Sequence, residues 1–64
     1  MTPLGVSDGE FRALLVDVLA DLVRPTRQWK RDTASLVIEI AGEYGFLNAN
    51  ATAHYQQMVE RDTP

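Results

Sequence analysis

Sixty-four residues carrying nine acidic and six basic side chains, a net charge of −3 and no cysteine describe one small domain over 1–64. A core of this size supplies only about 3–5 kcal/mol, so short chains rely on disulfides, a structural metal or association. Without cysteine there is no disulfide and no thiolate metal site, and His54 as the only histidine leaves too few ligands for zinc. Association is the remaining support.

The opening "MTPLGVSDGE" has no basic start followed by an apolar run, and no stretch approaches the ~20 apolar residues of a bilayer span. A soluble, cytoplasmic chain is expected. Charge is unevenly placed: Arg24, Arg27, Lys30 and Arg31 cluster in "RPTRQWKR", and the rest is strongly acidic.

In "VSDGEF", Ser7 is an N-cap with Glu10 in position to complete a capping box and Val6 and Phe11 in staple positions. Asp8 and Glu10 suit the positive end of the helix dipole. Phe11, Leu14, Leu15, Val18, Leu19, Leu22 and Val23 then recur at helical spacing until Pro25 disfavours helix at Arg24. The first helix is placed at about 7–24.

The second is placed at about 27–44, starting between Thr26 and Asp32. Trp29, Thr33, Leu36, Val37, Ile40, Ala41 and Tyr44 share one face, and Gly45 stands where a C-terminal cap belongs. Taken alone, "SLVIEI" at 35–40 also reads as a strand, but a lone strand would leave its backbone groups unpaired. A third helix, about 49–61, is capped by Asn48 or Asn50 and buries Ala51, Tyr55, Met58 and Val59. The expected fold is an all-α small three-helix bundle with residues 1–6 and 62–64 frayed.

Four constellations bear on function. The 41–57 segment, with Ala41 and Gly45 before a polar turn and a helix, fits a helix-turn-helix that reads bases through Asn50, Thr52 and Gln56. Its electrostatics oppose DNA, because the third helix has no Lys or Arg before Arg61 and Glu39 and Glu43 precede it. The basic junction, Arg24, Arg27, Trp29, Lys30 and Arg31, fits phosphates with an indole to stack on a base, an acidic protein patch, or simply a solvated junction with Trp29 as the second helix's core anchor. Cations at a helix start run against its dipole.

Asp17 and Asp21, like Glu39 and Glu43, stand four apart, yet no Glu-x-x-His accompanies them, so they read as solvated faces. His54 has no nucleophile at a telling spacing, and no phosphate loop or nucleophile elbow is present. No enzyme, cofactor, metal or small-molecule substrate is indicated. The fourth constellation is apolar surface. With Val16 included, the first helix's apolar arc covers ~200° at about 100° per residue, roughly twice what a surface helix needs.

The reading is therefore a protein–protein interaction module, either a homodimer or an accessory subunit on a larger partner. Phe11, Leu15, Val16, Leu19, Leu22, Val23 and Ile38 form its expected contact face. A DNA-binding regulator using 41–57 is the alternative, and a membrane partner is not expected.

Overall fold

In a computed structural model, residues 5–61 are described. They form three helices, α1 (Asp8–Asp21), α2 (Arg31–Glu43) and α3 (Ala49–Glu60), with no strand among the described residues. The all-α three-helix fold expected from the sequence is the one present. Residues 35–40 are helical, so the strand reading of "SLVIEI" falls away. Fraying of 62–64 and of 1–4 lies outside the described residues. Val6, counted with the frayed start, instead packs against the core.

Local chemistry sets most of the ends. The Ser7 hydroxyl accepts from the Glu10 N–H at 3.2 Å and donates to Glu10 Oε1 at 3.1 Å. Val6 and Phe11 then sit in the staple positions on either side of the cap. Asn48 caps α3, its Oδ1 accepting from the Ala51 N–H at 2.7 Å. Gly45 adopts φ 84°, the left-handed conformation that closes a helix without strain only for glycine.

The start of α2, expected between Thr26 and Asp32, falls at Arg31, and α1 ends earlier than expected, at Asp21. Asp21 is only 1% exposed. Its carboxylate accepts from the Gln28 N–H at 2.8 and 3.0 Å and from the Trp29 N–H at 3.0 Å. Holding those amides outside the helix sets the start of α2 at Arg31, with Lys30 as its N-cap in extended conformation. The end of α1 tightens into bonds from Val23 N–H to Ala20 O and Arg24 N–H to Asp21 O, so the α-helix stops at Asp21 rather than near 24.

The core comprises Phe11, Leu15, Val18 and Leu22 from α1 and its end, Ala34, Val37, Ile38 and Ala41 from α2, and Val59 from α3. Phe46, in the second junction, packs against Phe11 with ring centroids 5.0 Å apart and planes tilted 44°. The buried face of α2 is rotated from the expected one. Ile38 is fully buried, whereas Thr33 and Leu36 are exposed. The cause is that α2 lies between two neighbours, so Ala34 and Ala41 stand at the centre of its buried face with Val37 and Ile38 on either side.

The α2–α3 approach is close at Gly42, where a Cβ would stand 2.7 Å from Thr52 Oγ1. Beside it Ser35 Oγ–H donates to Gln56 Oε1 at 2.8 Å, and Gln56 Nε2–H donates back to Ser35 O at 2.9 Å. This reciprocal pair fixes the register of the two helices.

Candidate protein-contact surface

The fold divides α1 into two sides. Phe11, Leu15, Val18 and Leu22, spaced four, three and four apart, face the core. Gly9, Ala13, Val16, Ala20 and Val23, spaced four, three, four and three apart, face away from it, and all five are exposed. Val16 is 65% and Val23 74% exposed. Val23 stands in the tightened turn just beyond the helix.

This placement corrects the expected contact face. Phe11, Leu15, Leu22 and Ile38 are core residues of this chain, because α2 and the Phe46 region cover more of α1 than the sequence implied. Leu19 is half-buried and packs against the core edge. Val16 and Val23 are the two members of the expected set that remain on the surface. Ala13, Ala20 and Gly9 were missed. Their signal was the second four-three spacing, hidden because small residues add little to an apolar tally.

The edges of this outward side are charged. Arg12 lies on one edge, its guanidinium carbon 5.3 Å from the Phe46 ring centroid. Asp17 lies on the other, its Oδ2 accepting from the Trp29 indole N–H at 2.9 Å. Asp17 and Asp21 are thus a clasp for the first junction, and Asp21 is no solvated carboxylate. Burial pushes the Asp21 carboxyl up. The Gln28 and Trp29 amides and the nearby Arg24 and Arg27 charges outweigh it, leaving the group below its ordinary value of 3.8.

The basic junction is dispersed by the same clasp. Arg24 pairs with Asp21 at 3.7 Å. Arg27 donates to Met58 O at 3.0 Å and Val59 O at 3.4 Å, capping the carboxyl end of α3, where a cation suits the dipole. The apparent conflict of Arg27 with the start of α2 is thereby removed, since it serves the other helix. Trp29 is half-buried in the junction rather than a side chain of α2. Lys30 and Arg31 are exposed, and Arg31 lines a cleft of about 480 Å³ with Asp32, Ser35, Val59 and Glu60.

At the α2–α3 corner, Gln56 is committed to Ser35, and Thr52 donates to Asn48 O at 2.8 Å while packing on Gly42. Asn50 is exposed. Glu39 and Glu43 flank the shallow groove between these helices. His54 is exposed and lies edge-on to Tyr55.

Comparison with protein-family models, with curated proteins and with solved structures finds no match. No helix among the described residues is long and apolar enough to cross a membrane.

Proposed function

We propose that this chain is a protein–protein association module whose contact surface is the outward side of α1. The observation that carries this reading is Val16 and Val23 standing 65% and 74% exposed in register with exposed Ala13 and Ala20. A helix apolar on both sides is ordinarily buried on both sides. The chain is short enough that its own core leaves stability marginal, and it has no disulfide. Small side chains along the surface let a second helix axis come close, with spacing set by the residues at the contact.

DNA reading at 41–57 is the weaker proposal. Gln56 and Thr52 have partners within the chain, and the carboxylates of Glu39 and Glu43 would meet a phosphate backbone.

Chemical cross-linking of the tagged full-length chain, purified and in an extract of the cells that make it, tests the module reading. The wild type should cross-link to a second chain, its own or another. Val16→Glu should not, while keeping the wild-type far-UV dichroism, because position 16 makes no core contact. Equal cross-linking by the folded variant would overturn the reading.

A further inference from the structure

We infer that the outward side of α1 pairs with a second copy of this chain, with the two helices parallel. The inference rests on the module reading and adds the occupant and its direction. Gly9, Ala13, Val16, Ala20 and Val23 repeat at four-three spacing, the spacing of a two-stranded coiled-coil seam. Within α1, the charged groups nearest the seam differ in sign between its two edges. At about 100° per residue, Arg12 falls ~60° to one side of the seam's centre and Asp17 ~80° to the other.

In a parallel pair, a residue on the first edge meets the residue five positions later on the opposite edge of the other helix. Arg12 plus five is Asp17. Two-fold symmetry makes the contact twice, Arg12 of each copy facing Asp17 of the other. In an antiparallel pair, like edges meet instead. With position 20 opposite Gly9, Arg12 then approaches Leu19 and Glu10 approaches Asp17. Like charges brought together in this way oppose the pairing. The face is thus complementary to itself in one direction and repels itself in the other.

The existing contacts of both groups are compatible with this. The Trp29 indole engages Asp17 through Oδ2, so the carboxylate has a second oxygen for the guanidinium. The Phe46 ring supports Arg12 beside the seam. Exposed Glu10 shares the Asp17 edge, and exposed Asp8 lies farther from the seam, ~100° from its centre on the Arg12 side. Glu10 is bonded to the Ser7 cap.

The absence of cysteine gives a clean test of direction. Ala20→Cys places one thiol on the seam. In a parallel pair it faces its own equivalent, within reach of a disulfide whose Cα atoms lie about 4.4–6.8 Å apart. In an antiparallel pair seated on this seam, position 20 meets Gly9 of the second copy. Mild oxidation of the full-length variant should therefore give a covalent dimer that retains helical dichroism.

Sedimentation equilibrium at high micromolar concentration should show a wild-type dimer. Arg12→Glu should weaken it about tenfold, since two pairs become two repulsions. Arg12→Glu combined with Asp17→Arg should restore it in a variant that keeps the wild-type far-UV dichroism, since Asp17 also holds the Trp29 indole. A dimer that Ala20→Cys does not cross-link, or that Arg12→Glu leaves unchanged, would overturn the parallel pairing. A monomeric wild type overturns the second copy as occupant. In that case, cross-linking to a different chain decides the broader reading separately.

Discussion

The two sides of α1 carry the same four-three spacing with different residues. Toward the core stand Phe11, Leu15, Val18 and Leu22, and away from it Gly9, Ala13, Val16, Ala20 and Val23. Large side chains fill the irregular space left between α2, α3 and the Phe46 turn. Small ones make a smooth strip that accommodates another helix closely but encloses nothing alone. Spacing therefore shows that a helix has two apolar sides, and residue volume shows which one the chain's own core takes. The charged Asp17 and Asp21 mark the boundary on one flank, and they are used to hold the first junction.

Substitutions separate the two sides. Phe11→Ala removes a fully buried ring that packs against Phe46, and should cost about 3–5 kcal/mol. That matches the whole stability of a chain this short, so far-UV dichroism should show an unfolded population at 25 °C. A cooperative transition near the wild-type midpoint would mean that the core lies elsewhere.

Asp21→Asn should come next. It keeps the shape of the side chain but removes the charge that the Gln28 and Trp29 amides and Arg24 and Arg27 attend. The native carboxyl lies below its ordinary value, so its stabilisation is complete above pH ~4, where the unfolded chain is also ionised. It is lost as pH falls through the lower native value. The melting-temperature gap between wild type and Asp21→Asn should therefore be wide at pH 7 and shrink below pH ~4. A gap independent of pH would contradict the clasp.

Ser7→Ala removes the cap on the Glu10 amide and should cost about 1 kcal/mol, a fall of roughly 4–8 °C in melting temperature for a domain of this size. On the outward side, Val16→Ala should change the stability of the isolated fold by less than ~0.5 kcal/mol. A larger loss measured at low micromolar concentration would mean that the two sides are not distinct.

The sequence disclosed whatever depended on neighbours along the chain. Ser7, Asn48 and Gly45 were legible as helix ends because each acts on backbone within a few residues. The inward side of α3 was legible only in part, since Val59 is buried while Ala51, Tyr55 and Met58 are half-buried. The exact start of α2 within 26–32 was not legible, because it depends on Asp21 binding amides seven and eight residues ahead. Nor was the rotation of α2 that buries Ile38 and exposes Leu36, which follows from having a neighbour on two sides. Arg27 at the end of α3 and the Ser35–Gln56 pair are likewise contacts between distant segments, and polar residue type alone announces neither. Both drew side chains away from sites that the sequence had suggested for anions or bases.

The most direct measurement is methyl NMR of the wild-type chain across a dilution series from high to low micromolar concentration. It compares Val16 and Val23 with Val18, which is fully buried on the other side of the same helix. The account predicts that the Val16 and Val23 methyl resonances shift as the outward side is uncovered, while the Val18 methyls stay fixed. Shifts in Val18 that track those of Val16, or no change at Val16 and Val23 across the series, would contradict a helix that folds with one side and pairs with its own copy through the other.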